Sequence, residues 1–122
     1  MNENKRSGNR GEACVVLYLR RMKYEILETQ FRTRCGEIDI IARSPDGILC
    51  FVEVKTRKDA EFAQAREFVT PAKQRRLRAA AQYYLMCHDD SDSFCRFDVA
   101  EVYPEKGFLK KPEINYIPQA FD

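Results

Sequence analysis

The sequence predicts an α/β domain in which a central mixed β-sheet is flanked by helices. Two runs rich in β-branched and apolar residues, 36–43 and 48–55, are separated by Ser44-Pro45-Asp46-Gly47, which is the pattern of a β-hairpin. Apolar residues then recur at helical spacing over residues 71–87, and an alternating run follows at residues 94–103. With 122 residues, 44% of them hydrophobic, the chain has the size and composition of one globular domain.

The predicted elements follow the order α, β, β, β, α, β, β. Residues 1–8 are polar and are interpreted as a flexible tail, so that a single domain occupies residues 9–122. Apolar and basic residues are distributed as in an amphipathic helix over residues 9–23. A short extended segment is expected at residues 24–32.

The second helix has the clearest boundary signals. Thr70 is a typical N-cap residue and Pro71 suits the first helical position, so this helix is predicted to run from about residue 71 to residue 87. After the alternating run, residues 104–107 contain Pro and Gly and indicate a turn. Residues 114–117 predict a last short strand.

The register of the hairpin can be predicted because successive residues of a strand point to opposite faces of the sheet. A three-residue loop with Gly47 in the left-handed conformation would pair Ser44 with Ile48. In that register Asp39 comes opposite Glu53. One face then carries Ile38, Ile40, Ala42, Cys50, Val52 and Val54. The other face carries Glu37, Asp39, Ile41, Phe51, Glu53 and Lys55. A slip by one residue would destroy this segregation of apolar side chains.

The predicted register places two carboxylates side by side, where they repel and need compensation. Mg²⁺ would provide it, since this ion is typically held by one or two carboxylates together with water and substrate phosphate. Lys55 lies on the same face and can orient a water nucleophile or stabilise charge on phosphorus. Asp39, Glu53 and Lys55 are therefore predicted to form a metal-dependent phosphodiesterase centre. The alternative is an ordinary exposed strand face with Asp39 in a surface ion pair.

Positive charge is concentrated in two segments, although the net charge is only +2. Residues 1–24 carry six Lys or Arg against two acids, and residues 71–88 carry four against none. Such segments suit a polyanion if they share one face, and a solvated helix face is the alternative. The candidate contacts to nucleic-acid phosphates are Arg57, Lys58, Lys73, Arg75, Arg76 and Arg78.

Cysteine and histidine usage excludes several other classes of site. Five cysteines occur without a CxxC pair, which argues against a disulfide framework or a zinc cluster. No signal peptide is recognisable and no run approaches the ~20 apolar residues that span a bilayer, so a cytoplasmic location without a membrane partner is expected. His88 is the only histidine, which excludes most histidine-dependent nuclease and hydrolase centres.

An acid on one strand followed by Glu-x-Lys on the next resembles the PD-(D/E)XK nuclease core. The segments that carry the wider resemblance are Gly11-Glu12, Gly36-Glu37-Ile38-Asp39, Phe51-Val52-Glu53-Val54-Lys55-Thr56-Arg57, Thr70-Pro71-Ala72-Lys73 and Arg96-Phe97-Asp98. Together they are similar to the YraN-like family of bacterial proteins over nearly the whole chain. The resemblance implies a restriction-endonuclease-like fold, similar to that of archaeal Holliday junction resolvases.

The same resemblance implies roles for single residues. Asp39 and Glu53 would ligate the metal and Lys55 would be catalytic. Glu12 would supply a supporting carboxylate, and a favourable charge in the first turn of a helix is the alternative for it. The expected function is Mg²⁺- or Mn²⁺-dependent hydrolysis of DNA, in branched or single-stranded forms, with a homodimer left open. The alternatives are a nucleic-acid-binding or protein-interaction module of this fold with little activity, and a structural protein with an incidental acidic cluster.

Overall fold

Five β-strands form one sheet with a helix packed on each face in the computed structural model of the protein. The structure describes residues 3–57, 69–89, 94–106 and 111–122, except for the side chains of residues 3–9 and 104–106. In chain order the elements are α1 (Glu3–Arg21), β1 (Glu25–Arg32), β2 (Glu37–Arg43), β3 (Leu49–Thr56), α2 (Pro71–Cys87), β4 (Cys95–Lys106) and β5 (Lys111–Phe121). This order confirms the predicted succession of helices and strands.

The strands lie in the sheet in the order in which they occur in the chain. β3 and β4 run parallel, whereas the other neighbouring pairs run antiparallel. A parallel pair needs a long crossover connection, and α2 lies between β3 and β4 in the chain. The predicted α/β architecture, a central mixed sheet flanked by helices, is thereby confirmed.

Each helix covers its own face of the sheet. On one face, α1 buries Val15 and Leu19 against side chains such as Ile40 and Val52. On the other face, α2 contributes Leu77, Ala80, Ala81 and Tyr84, which pack with Ile38, Ile41, Leu49, Phe51 and Val99. β2 and β3 supply buried side chains to both faces, as expected for strands at the centre of a covered sheet. Neither of the helices described here is long and apolar enough to cross a membrane.

Helix α2 begins and ends at the predicted residues. The backbone of Thr70 is extended, and its hydroxyl oxygen accepts a hydrogen bond from the backbone N–H of Lys73 at 3.2 Å. Pro71 follows at the start of the helix, where its missing N–H costs no intrahelical hydrogen bond. The backbone N–H of His88 donates to the carbonyl of Tyr84 at 3.1 Å at the other end. The Thr70 cap fixes the first turn of α2, which carries Lys73.

The loop of the β2–β3 hairpin has the predicted length and conformation. The backbone N–H of Ser44 donates to the carbonyl of Ile48 at 2.9 Å, which leaves three residues in the loop. Gly47 has a φ of 88°, in the left-handed region that favours glycine. The Ser44 hydroxyl donates to the Asp46 carboxylate at 2.7 Å and accepts the N–H of Ile48 at 3.0 Å. The hairpin is therefore closed by its own turn chemistry.

The two strands of the hairpin pair in the predicted register. Regular pairs extend from the loop as far as Ile40 opposite Val52. One further step in this register places Asp39 opposite Glu53. At this point the Asp39 side chain replaces a regular ladder contact, because its Oδ2 accepts the backbone N–H of Val54 at 2.8 Å.

The face predicted for Ile38 is wrong. Ile38 packs with Ile41 on the α2 face of the sheet, whereas Ile40 packs on the α1 face as predicted. The regular alternation breaks at Asp39, where the side chain rather than the backbone completes the pairing with β3. The neighbouring side chains Ile38 and Asp39 consequently do not follow the simple period of two.

Three element boundaries also differ from the prediction. Helix α1 begins at Glu3 rather than at residue 9, while the flexibility of residues 1–8 stays a prediction. The turn predicted at residues 104–107 is wrong over its first three residues, since β4 continues to Lys106; residue 107 lies outside the described residues. Pairing with β5 continues through a register shift between Tyr103 and Lys106. This pairing also makes β5 longer than the short strand expected there.

A buried ionic network ties β4 to its neighbours on the α1 side. Asp98 has no exposed surface and accepts two hydrogen bonds from Arg96 Nε, at 3.0 and 3.1 Å. It also accepts the backbone N–H of Gln119 at 2.9 Å and the hydroxyl of Tyr116. Arg96 in turn donates to the Tyr24 hydroxyl at 2.6 Å. This set of partners explains how a carboxylate is tolerated without contact with water.

Asp98→Asn should lower the free energy of unfolding by about 3 kcal/mol, because it leaves the Arg96 guanidinium without its anionic partner. Chemical denaturation of the variant beside the parent measures this difference. Glu113→Gln, at an exposed position of β5, is the matched control and should unfold close to the parent. Equal stability of the two variants would show that the Asp98 network does not hold the sheet together.

Candidate functional site

A cavity of about 160 Å³ lies between the start of β2, the second half of β3 and the first turns of α2. It is lined by Gly36, Glu37, Asp39, Glu53, Lys73, Arg76 and Leu77. Three of these residues are acids and two are bases, so the cavity brings charges of both signs together. Leu77 of α2, which belongs to the hydrophobic core, adds an apolar side chain to the cavity wall.

Two glycines allow the helices to approach the sheet closely at this end. A Cβ atom on Gly36 would lie 2.9 Å from the backbone carbonyl oxygen of Arg76, which cannot move without moving α2. A Cβ atom on Gly11 would lie 2.6 Å from the Thr56 hydroxyl oxygen. Both glycines belong to the motifs that predicted the site. They bring α1 and α2 to the end of the sheet where the carboxylates lie.

Glu53 is a buried carboxylate that two lysines share. Its side chain is 7% exposed. Lys73 Nζ lies 2.6 Å from Glu53 Oε1, and Lys55 Nζ lies 3.6 Å from the same oxygen. Burial of an unpaired carboxylate would be costly, so these two amines stabilise the negative charge of Glu53.

The two lysine amines respond in opposite directions to this environment. Burial and the adjacent Lys73 amine lower the pKa of Lys55, although Glu53 opposes the shift. Burial also lowers the pKa of Lys73, but its hydrogen bonds to Glu53 and Lys55 and the nearby carboxylate charges outweigh it and raise that pKa. Lys73 therefore retains its proton, and Lys55 is the amine that more readily becomes neutral.

The charge of Asp39 is poorly compensated. Burial, reinforced by the negative charge of Glu53, raises the pKa of Asp39 to about 7, against the hydrogen bond from Val54. The charge of Glu12 on α1 acts in the same direction. A divalent cation beside Asp39 and Glu53 would remove this repulsion. Two carboxylates with open positions for water and phosphate match the ligands that Mg²⁺ prefers, so the residues fit this ion.

Glu12 lies on α1, which covers the opposite face of the sheet, and its charge acts on Asp39. Burial raises the pKa of Glu12, a hydrogen bond from the Gln30 side chain opposes this, and the charges of Glu37 and Glu53 add to the increase. Within the described ranges, no group of three or more His, Cys, Asp or Glu side chains is arranged to hold a metal ion. The candidate ligand set is thus Asp39 with Glu53. The supporting role of Glu12 stays a prediction. In the structure, its negative charge contributes to the electrostatic potential at Asp39.

Two of the predicted phosphate contacts on α2 line the cavity. Lys73 and Arg76 are three residues apart and therefore share one face of the helix. Arg75 and Arg78 are exposed on the remainder of α2. The Arg78 guanidinium donates to the backbone carbonyl oxygen of Asp122 at 2.7 Å. The helix face with Lys73 and Arg76 is the part of α2 that can contact a phosphate held at the carboxylates.

Arg57 has a structural partner at the end of β3. Its Nε lies 3.4 Å from Oε2 of Glu101, and both side chains are largely buried. Glu101 pairs with Lys55 across β3 and β4, so it projects to the same face as the site, and it accepts a hydrogen bond from the Asn115 side chain at 2.9 Å. Contact between Arg57 and nucleic acid stays a prediction. Lys58, the next predicted contact, lies outside the described residues.

Sequence reasoning assigned Lys73 to phosphate binding and missed its contact with Glu53. A signal was present, because a lysine in the first turn of a helix faces the positive end of the helix dipole. This turn of α2 contains no acid that would compensate it. An anionic partner from another element could therefore have been expected. Glu101 carried no comparable signal, since its ion pair joins residues 44 positions apart.

Asp39→Asn should make the protein more stable in alkaline solution when no divalent metal is present. Between about pH 4 and pH 7 the folded protein holds a proton on Asp39 that the unfolded chain has released, so stability is lost as the pH rises through the folded pKa. In Asp39→Asn the free energy of unfolding should therefore fall by about 2 kcal/mol less than in the parent between pH 5 and pH 8.5. Denaturation at both pH values in EDTA measures it, and an unchanged pH profile would contradict the assignment.

Comparison with known proteins places the chain in one family. The model of the family described as "Uncharacterised protein family UPF0102" matches residues 11–102. A UPF0102 protein of Geotalea daltonii is 47% identical over 122 residues, which cover 99% of this chain and 93% of that protein. One from Acetivibrio thermocellus is 46% identical over 98% of this chain and 94% of its own length, and one from Caldicellulosiruptor saccharolyticus is 46% identical over 97% and 99%. The chain therefore belongs to the UPF0102 family, which confirms the predicted YraN-like membership.

Proposed function

We propose that this protein is a Mg²⁺- or Mn²⁺-dependent nuclease that hydrolyses phosphodiester bonds of DNA in branched or single-stranded forms. The observation that carries the proposal is that Asp39 and Glu53 line one cavity, with Lys55 beside Glu53. An acid on β2 followed by Glu-x-Lys on β3 also supports the restriction-endonuclease-like, PD-(D/E)XK assignment. DNA as the substrate, and its branched or single-stranded form, rest on the family resemblance.

The acids and the lysine of the site would have different roles in such a reaction. Asp39 and Glu53 would hold the metal. When bound, Mg²⁺ would act as a Lewis acid that stabilises negative charge developing on the phosphate. Lys55 is 22% exposed and lies 3.6 Å from Glu53, and its lowered pKa suits a group that orients the attacking water and accepts its proton.

The basic residues of the cavity wall would position the DNA backbone. Arg76 is exposed and lines the cavity beside Lys73, so both can reach a phosphate bound at the carboxylates. Contacts of this kind orient the nucleic acid without reading its bases. The proposed enzyme would consequently bind DNA with a strong dependence on salt and with little sequence preference.

A nucleic-acid-binding or protein-interaction module with little activity of its own is the second candidate. One observation favours it: Lys73 and Lys55 already neutralise Glu53, so this carboxylate is satisfied without a metal. Such a module would retain salt-dependent DNA binding and would cleave no DNA form with either metal. Cleavage assays on single-stranded, duplex and branched DNA with Mg²⁺ and with Mn²⁺ distinguish the two candidates.

We also propose that the protein acts in the cytoplasm. Cys50 is a free thiol with no exposed surface. Burial raises the pKa of Cys50 to about 12, which keeps its thiol protonated and unreactive. A free thiol of this kind is typical of proteins in reducing compartments.

Lys55→Met should reduce the rate of Mg²⁺-dependent cleavage by about 10²- to 10³-fold, because it removes the amine that acts on the water and on the developing charge. Methionine retains the apolar stem of the side chain, so the free energy of unfolding should change by about 1 kcal/mol or less. The measurements are the single-turnover cleavage rate, the melting temperature and the DNA affinity.

Lys111→Met is the matched control, since Lys111 is an exposed lysine on a strand outside the cavity. It should cleave at the parental rate. Parental activity in Lys55→Met would remove Lys55 from the reaction. A parent that cleaves no DNA form under either metal would favour the binding module instead.

A further inference from the structure

The ammonium of Lys73 is the closer of the two amines that contact Glu53. Its Nζ lies 2.6 Å from Oε1 of Glu53, a close contact for a charge-assisted hydrogen bond. Lys55 is 3.6 Å from the same oxygen and is the more loosely held of the two amines. A cation that binds to this oxygen must therefore compete with Lys73 first.

Lys73 can leave this oxygen without disturbing the fold. Its side chain is 33% exposed, so one side of its flexible stem already faces solvent. The first turn of α2 is fixed independently by the Thr70 cap, which uses the Lys73 backbone and not its amine. Leu77, one turn further along, anchors the helix in the core. Movement of the amine thus requires rotation of a side chain and no shift of the helix.

We propose that Lys73 is an internal counter-ion that neutralises Glu53 in the metal-free protein, is displaced when a divalent cation binds, and is then free to contact the substrate phosphate. This inference rests on the proposed function and adds a regulation to it. The site would resist occupation by metal alone. It would fill more readily when DNA is present, because a phosphate gives the released ammonium a new anionic partner.

The direct test measures Mn²⁺ binding to the parent, to Lys73→Gln and to Arg76→Gln by electron paramagnetic resonance in the absence of DNA. Arg76→Gln is the matched control, since it removes one positive charge from the same cavity wall but leaves the contact between Lys73 and Glu53 intact. Lys73→Gln should bind Mn²⁺ about tenfold more tightly than the parent. Arg76→Gln should gain less than about threefold.

The outcomes separate this inference from the proposed function. Tighter Mn²⁺ binding in Lys73→Gln alone supports the counter-ion role. An equal gain in Mn²⁺ affinity in both variants would show only the effect of removing one positive charge, and it would overturn the counter-ion role. Unchanged or weaker Mn²⁺ binding in Lys73→Gln would overturn it as well. In these last cases a parent that still binds Mn²⁺ leaves the nuclease proposal standing. Absence of Mn²⁺ binding in all three proteins would overturn both proposals.

A second measurement uses the unaltered chain and does not depend on how the variants fold. Amine acetylation followed by mass spectrometry reports the reactivity of each lysine without Mg²⁺ and at an Mg²⁺ concentration high enough to compete with Lys73 for Glu53. Lys73 should become several-fold more reactive when Mg²⁺ is added, because its ammonium is released from Glu53. Lys111, which is exposed and outside the cavity, is the internal reference. Equal reactivity of Lys73 with and without Mg²⁺ would overturn the proposed displacement.

Discussion

Two carboxylates of like charge, Asp39 and Glu53, line one cavity at the end of the β2–β3 hairpin, and the strands cannot slip to separate them. Both faces of these strands are covered by helices, so a slip by one residue would turn Ile40 and Val52 away from the core that α1 covers. The turn at Gly47 and the hydrogen bond from Ser44 to Ile48 fix the same register. The repulsion between Asp39 and Glu53 is consequently built into the fold and must be balanced by other groups.

Asp98 and Asp39 lie in two different electrostatic environments. Asp98 lies on the α1 side with Arg96, Tyr116 and the backbone of Gln119 around it, and these partners satisfy the carboxylate. Asp39 accepts the backbone N–H of Val54 and faces a second carboxylate, so its pKa rises to about 7. A carboxylate that is held in place yet poorly compensated is ready to bind a cation. The first network stabilises the sheet, and the second is where we place the chemistry.

Local patterns in the sequence were sufficient to predict the elements and the hairpin register. Thr70 and Pro71 defined the start of α2, and apolar alternation with the turn at Gly47 placed Asp39 opposite Glu53. Contacts between distant segments were not predictable in this way. The ion pair from Lys73 to Glu53 needs the position of α2 over the sheet, and the face of Ile38 depends on a side-chain hydrogen bond that interrupts the ladder. Tertiary contacts of this kind leave no local period in the sequence.

We place one divalent-metal site at Asp39 and Glu53. Anomalous diffraction locates the ion without relying on activity, in crystals soaked in Mn²⁺ at a concentration high enough to compete with Lys73. One anomalous peak should lie within ligand distance of both carboxylates, and it should be lost in Glu53→Gln. A peak elsewhere in the molecule, or an equal peak in the parent and the variant, would show that the two carboxylates do not form this site.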